Sequence, residues 1–157
     1  MKSTPEPGAE PSAAELRERA LRLLARREHC RAELARKLEA AGFDAGDVQP
    51  LLDEFEAKNW LSDRRFAESW VADHRAKAGS IKLVYELRQR GVRDDVIEAV
   101  LGDNRDTETE RARAVWEKKF GAPPADAAGR ARQARYLQGR GFSSDAIRQA
   151  IAGASDD

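Results

Sequence analysis

His29 and Cys30 are adjacent, and they are the side chains of this sequence best suited to metal binding or nucleophilic catalysis. A structural zinc ion needs four ligands at defined spacing, and a Cys–His catalytic site needs a further group that orients the base. The chain has 1 cysteine and 2 histidines, which excludes a multi-cysteine zinc site. Cys30 also lies three positions before Glu33, and this spacing predicts that Cys30 is the N-cap of a helix. We therefore interpret the pair as structural and predict no metal site and no catalytic residue.

Clusters of basic side chains are the pattern that points to a function, because such clusters bind phosphate or carboxylate groups. Between Arg75 and Arg93 the only acid is Glu86, and between Arg130 and Arg140 there is none. We predict that these clusters contact a polyanion or an acidic protein surface. The candidate residues are Arg75, Lys77, Lys82, Arg88, Arg90, Arg130, Arg132, Arg135 and Arg140. A looser group earlier in the chain supplies the secondary candidates Arg27, Arg31, Arg36 and Lys37.

The charge of the whole chain is balanced, with 28 basic and 28 acidic side chains. A protein that binds DNA tightly by itself usually has an excess of Lys and Arg. The two signs are nevertheless separated along the chain, because the segments that follow the basic clusters carry acids such as Asp94 and Asp95. The balance disfavours an autonomous, high-affinity DNA-binding protein without excluding contact with nucleic acid.

One short pattern occurs three times and predicts the elements that position these clusters. A Leu, three further residues, a Gly and an apolar residue follow one another at 38–43, 87–92 and 137–142. The Leu is expected in the last turn of a helix, and the Gly in the left-handed conformation just past its end. The apolar residue then folds back on the helix. Each repeat therefore contains a helix, a tight glycine turn and a second helix.

The residues after each glycine turn predict how the next helix begins. Asp44 and Ser143 are good N-caps, because a short polar side chain can accept a backbone N–H of the first turn. In the middle repeat Arg93 takes the corresponding position, and Asp94 is expected to cap instead. A longer amphipathic helix precedes each pair. The first and third of these begin with capping-box spacing, at Ser12 and Glu15 and at Thr107 and Glu110.

These patterns predict an all-α fold of three tandem three-helix repeats, since no alternating strand pattern is present. Each repeat is too small to be stable through its own core alone, so we expect an elongated, curved, solenoid-like molecule. The predicted boundaries are a disordered leader at 1–12, repeats at 13–61, 62–104 and 105–153, and a disordered tail at 154–157. Phe66, Trp70 and Trp116 are expected in the core.

The composition also bears on the compartment. No apolar run approaches the roughly 20 residues that span a bilayer, and the single cysteine fits a reducing environment. We expect a cytoplasmic monomer without a membrane partner.

Several segments, in their order and spacing, resemble the RecX family of regulatory proteins. Trp60–Ala67 with Trp70–Val71 is similar to the most characteristic motif of that family. Leu23–Arg27 resembles its opening, and Lys118–Gly121 and Arg140–Phe142 resemble its close. The resemblance covers most of the chain from Leu16 to Ile151. Two departures, Ser80 for a common proline and Cys30 for a usual Ser or Thr, both fall at helix starts.

The resemblance implies a modulator of the RecA recombinase, without catalytic activity or cofactor. Proteins of this family lie in the groove of the RecA–single-stranded DNA filament, suppress ATP hydrolysis and strand exchange, and thereby modulate DNA repair, recombination and the SOS response. Single-stranded DNA would be contacted directly or through the filament. The alternative is a direct DNA-binding module, because helix, glycine turn and helix resemble a helix-turn-helix in outline.

Overall fold

Nine α-helices and no strand are found in residues 12–102 and 107–155, the part of the chain that the computed structural model describes. This confirms the predicted all-α class with three successive groups of three helices. In chain order the helices are α1 (Ala13–Arg26), α2 (Arg31–Ala40), α3 (Ala45–Ala57), α4 (Asp63–His74), α5 (Ser80–Gln89), α6 (Asp94–Leu101), α7 (Glu108–Lys119), α8 (Ala127–Gly139) and α9 (Ser144–Ser155). Most of the predicted leader, and 156–157 of the predicted tail, lie outside the described residues.

The described residues form two compact units. Unit 1 comprises the residues up to Phe66 together with Arg90–Val92, and unit 2 comprises Ala67–Gln89 and the residues from Arg93 onward. Unit 1 therefore contains α1 to α3, and unit 2 contains most of α4 and all of α5 to α9. The helices of the second and third groups share one unit.

The three predicted glycine turns are confirmed. Gly42, Gly91 and Gly141 have φ values of 100°, 90° and 85°, in the left-handed region that favours glycine. At the first turn the amide of Phe43 donates to the carbonyl oxygen of Leu38 at 3.2 Å, which is the Schellman bond that satisfies an unpaired carbonyl at a helix end.

The predicted side-chain caps are confirmed at Ser12, Asp44 and Ser143 and wrong at two other helix starts. The side chains of Asp44 and Ser143 each accept a first-turn backbone amide at 3.2 Å. Asp94 does not cap α6 but is its first residue, and Arg93 occupies the N-cap position without a side-chain cap bond; the carboxylate of Asp94 instead accepts the Nε–H of Arg88 at 2.7 Å. Thr107 occupies the N-cap position of α7 but makes no side-chain cap bond.

Each unit contains a cluster of buried apolar side chains. In unit 1 it includes the fully buried Leu34, Leu38, Leu52 and Phe55, contributed by α2 and α3. In unit 2, Trp116 packs with residues of α7, α8 and α9.

Two of the three aromatic side chains expected in the core are buried there, namely Phe66 and Trp116. The expectation for Trp70 is wrong: this side chain is only half-buried, where its indole Nε1 donates to Glu86 at 2.9 Å and its ring stacks on His74.

Candidate partner-binding surface

The His29–Cys30 pair is buried in unit 1 and has internal partners. His29 Nδ1 lies 3.0 Å from the carbonyl oxygen of Arg27, and its Nε2 lies 3.0 Å from Nζ of Lys37. Burial lowers the pKa of His29 and raises the pKa of the Cys30 thiol, whose Sγ donates to the carbonyl oxygen of Arg90 at 3.1 Å. A buried thiol with a raised pKa is a poor nucleophile and a poor metal ligand. No group of three potential metal ligands occurs among the described residues.

The secondary candidates of unit 1 take part in contacts within the unit. Arg27 and Glu33 form a two-pronged pair with both N–O distances at 2.9 Å. Burial alone would raise the pKa of Glu33, but the bond from Arg27 lowers it below its ordinary value. Arg31 lies 2.7 Å from both Asp53 and Glu56.

The other two secondary candidates, Lys37 and Arg36, contact His29 and the carbonyl oxygen of Arg90, respectively. A partner would have to compete with all these contacts, so the assignment of the four unit 1 residues stays a prediction.

The candidates around α5 differ in whether they form ion pairs within the chain. Arg75 and Lys77 are exposed in the turn between α4 and α5, so they precede the helix on which most of the cluster lies. Lys82 is 4.0 Å from Glu86, and Arg88 is paired with Asp94.

Arg90 belongs to unit 1, whereas the other candidates of this cluster belong to unit 2. The cluster that is continuous in sequence is therefore divided between the two units.

The candidates on α8 are accessible to a partner. Arg130, Arg132 and Arg135 are exposed and form no ion pair with any described residue. At about 100° per residue, Arg132 and Arg135 are about 60° apart around the helix, whereas Arg130 lies on roughly the opposite side. Arg132 and Arg135 therefore form the compact pair on this helix.

A cationic pocket of about 560 Å³ lies within unit 2 and combines two of the candidates with two lysines that the sequence analysis did not select. Lys77 and Arg140 come from the turn before α5 and from the end of α8, and Lys118 and Lys119 come from the last turn of α7. The lining contains no carboxylate. Its residues are Ala76, Lys77, Ala114, Val115, Lys118, Lys119, Tyr136 and Arg140.

Tyr136 holds the cations at one side of this cationic pocket. Its hydroxyl oxygen accepts Nη2–H of Arg140 at 3.1 Å, and the guanidinium carbon lies 5.5 Å from the ring centroid. Nζ of Lys119 lies 5.2 Å from the same centroid, within the range of cation–π attraction. Phe120 meets the ring edge-on at 5.5 Å. Tyr136 thus orders the cationic side chains of Arg140 and Lys119.

The turn that carries Lys77 is held by two buried side chains of α7. Arg111 Nη1 donates to the carbonyl oxygens of Arg75 and Ala78, both at 2.8 Å. The carboxylate of Glu108 accepts the backbone amides of Ser80 and Ser143 at 3.1 and 3.2 Å. Because these bonds join the turn to the helix that carries Lys118 and Lys119, the pocket depends on tertiary contacts.

Three family models match the chain, described as the first, second and third three-helix domains of RecX. They match residues 17–55, 62–101 and 106–151, respectively. The chain belongs to the RecX family. Among its RecX relatives are regulatory proteins RecX from Ralstonia pickettii and Chromobacterium violaceum, which are 45% and 46% identical to it. Each alignment covers 90% of this chain, and 89% and 92% of the respective relative.

Solved RecX structures share the fold at low sequence identity. The crystal structure of RecX from Lactobacillus salivarius matches with a TM-score of 0.82 at 20% identity, covering 92% of this chain and 97% of the other. A second crystal structure, of a regulatory protein RecX, matches with a TM-score of 0.76 at 19% identity over 92% of this chain and 73% of the other.

RecX membership confirms the prediction of a regulatory protein that is not an enzyme, because the curated relatives are named as regulators. Within the described ranges, no helix is both long enough and apolar enough to cross a membrane.

Proposed function

We propose that this RecX-family protein binds the RecA–single-stranded DNA filament and inhibits its ATPase and strand-exchange activity, thereby modulating DNA repair and recombination. The observation that carries the proposal is the distribution of available positive charge. Arg132, Arg135 and Lys77 in unit 2 are exposed and have no ion-pair partner among the described residues, whereas Arg27 and Arg31 in unit 1 are paired. Among the candidate residues, those that are exposed and have neither an ion pair nor a side-chain hydrogen bond to a described residue therefore lie in unit 2.

The proposed mechanism is steric and electrostatic. A filament repeats the same acidic protein surface and the same DNA phosphates along its length, so several weak contacts made by one protein add up. A regulator held across neighbouring protomers would hinder the changes between them that accompany ATP hydrolysis. None of these steps requires a catalytic group or a cofactor on the regulator.

A direct DNA-binding module is the less favoured alternative. In a helix-turn-helix the second helix enters the major groove with its N-terminal residues near base edges. Here the helices that follow the glycine turns carry acids in their first turns: Asp47 in α3, Asp94 and Asp95 in α6, and Asp145 in α9. Carboxylates at those positions would be repelled by the DNA phosphates.

The proposal is tested by the ATPase of the recombinase on single-stranded DNA, with the regulator added in substoichiometric amounts. We expect inhibition, because one molecule bound to a filament affects several protomers. A gel-shift titration on the same DNA, with and without recombinase, separates the two candidate functions. A shift that needs the recombinase supports filament binding. An equally tight shift without it, together with an unchanged ATPase rate, supports the DNA-binding alternative.

A further inference from the structure

We propose that the cationic pocket of unit 2 binds an acidic segment of the protein partner, with an apolar side chain of that segment on the pocket floor. This inference rests on the proposed function, because it takes the partner to be the recombinase filament. It goes further by assigning the pocket to the protein component of the filament and not to the DNA.

The first argument is charge. Lys77, Lys118, Lys119 and Arg140 converge on one cavity that no carboxylate lines. A cleft lined by charges of one sign concentrates the electrostatic field and attracts the opposite charge. Neither Lys77 nor Lys118 forms an ion pair with a described residue, so both ammonium groups are available to a ligand. An anionic occupant would relieve the mutual repulsion of these cations.

The second argument is the floor of the pocket. Ala76, Ala114 and Val115 contribute apolar surface beside the ring of Tyr136. A phosphate group would use only the cationic rim and leave this surface in contact with water. A peptide segment with carboxylates on both sides of an apolar residue would use the rim and the floor together. Burial of that residue would add hydrophobic stabilisation to the electrostatic attraction.

The third argument excludes a nucleobase as the occupant of the floor. Proteins that hold single-stranded nucleic acid stack its bases on aromatic rings. The ring of Tyr136 is already contacted by Lys119, Arg140 and Phe120. A base would compete with these side chains for the ring, whereas a carboxylate could bind the same cations in their present positions.

The fourth argument is preorganisation. Arg140 is fixed by the hydroxyl of Tyr136, and the turn that carries Lys77 is fixed by Arg111. Ordering these groups before binding reduces the entropy lost on association. A guanidinium held in one orientation can also bind a carboxylate through two parallel hydrogen bonds.

The test uses the full chain and three probes: a labelled peptide of Asp and Glu residues around one Leu, the same peptide with Gly in place of that Leu, and oligothymidylate. The first variant is the pair Lys118→Glu and Lys119→Glu, which reverses charge at the rim. The second is Ala114→Gln, which fills the floor at an exposed helical position without changing charge. The control is the pair Arg19→Glu and Arg22→Glu, which makes the same charge change on exposed positions of α1 in unit 1.

We expect the Leu peptide to bind the unaltered protein about tenfold more tightly than the Gly peptide. Both pocket variants should weaken the Leu peptide about tenfold, corresponding to about 1.4 kcal/mol. The control pair should retain at least half the affinity. Ala114→Gln should leave oligothymidylate affinity unchanged, and both pocket variants should weaken inhibition of the recombinase ATPase.

Two results would overturn the inference. One is equal affinity for the two peptides in the unaltered protein. The other is an Ala114→Gln variant that loses oligothymidylate and peptide to the same extent, which would make nucleic acid the occupant. The unaltered protein could bind the Leu peptide more tightly than the Gly peptide and yet leave the recombinase ATPase unchanged. That result would support the pocket and contradict the proposed function, so failure of one proposal is distinguishable from failure of the other.

Discussion

Nη1 of Arg111 lies 2.8 Å from the carbonyl oxygen of Arg75, and this hydrogen bond joins helix α7 to the turn between α4 and α5. The same nitrogen donates to the carbonyl oxygen of Ala78. Arg111 is buried, and burial lowers the pKa of its guanidinium from the ordinary value. The relationship helps to place Lys77 beside the lysines of α7, so Arg111 contributes both to the cationic pocket and to the stability of unit 2.

Replacing Arg111 with Ala should destabilise the protein by about 2 to 3 kcal/mol, because it removes charge-assisted hydrogen bonds and leaves two carbonyl oxygens unsatisfied. Chemical denaturation followed by circular dichroism measures the loss. Arg135→Ala is the control, since this exposed residue has no ion-pair partner among those described, and it should change stability by less than about 0.5 kcal/mol. Equal effects of the two substitutions would contradict the assigned role of Arg111.

Gly141→Ala should cost clearly more stability than Gly42→Ala. Both glycines have positive φ, so each substitution incurs the strain of a left-handed residue with a side chain, about 1 to 2 kcal/mol. A Cβ at Gly42 would meet no atom within 4 Å, whereas a Cβ at Gly141 would lie 2.5 Å from the backbone nitrogen of Lys82. Urea unfolding of the two variants provides the comparison, and equal losses would show that the close approach at Gly141 carries no energetic weight.

Protonation of His29 should destabilise the fold in mild acid. Burial lowers its pKa below the ordinary 6.5, although the carbonyl oxygen of Arg27 and the carboxylate of Glu33 act in the opposite direction. Because the unfolded chain then binds the proton more readily, this contribution to stability is complete above 6.5 and is lost as the pH falls through 6.5 towards the lowered pKa. The urea concentration at the midpoint of unfolding should therefore decrease as the pH is lowered from about 7 to about 5.

The control for this pH dependence is His29→Gln, which removes the titrating ring from its position between Arg27 and Lys37. This variant should be less stable than the unaltered protein at neutral pH but should show a shallower decrease in mild acid. The same decrease in both proteins would assign the titration to another group.

Binding to the filament should weaken as salt is added. Salt screens the attraction between basic side chains and carboxylates, and it opposes the release of counterions from phosphates that those side chains contact. Fluorescence anisotropy of the labelled regulator at several salt concentrations gives the slope. Arg132→Glu with Arg135→Glu should reduce both the affinity and the slope. An affinity independent of salt would indicate an apolar interface instead.

The helices and their glycine turns were predictable because their causes are local. The spacing of Leu38 and Gly42 determines a helix end through hydrogen bonds a few residues apart, and the structure has the expected bonds. The failure of Asp94 to cap α6 was not predictable from its position alone. Its carboxylate binds Arg88 across the turn, and this competing ion pair is visible only when the two helices are placed.

The cationic pocket was only half predictable for a similar reason. Lys77 and Arg140 belong to dense basic clusters and were selected, whereas Lys118 and Lys119 lie at the end of a helix rich in both charges. Nothing local indicates that α7 and the turn before α5 are neighbours. That contact is made by the buried Arg111, a residue type that is usually exposed.

The central claim is that available cations of unit 2 carry the regulatory activity, and a titration of recombinase ATPase on single-stranded DNA tests it most directly. The regulator would be the unaltered protein, the pair Arg132→Glu and Arg135→Glu, or the control pair Arg19→Glu and Arg22→Glu. We predict that the unit 2 pair needs at least about tenfold more protein for half-inhibition, while the control pair inhibits like the unaltered protein and all three have the same helicity. Inhibition by the unit 2 pair at the concentration that suffices for the unaltered protein would contradict the account.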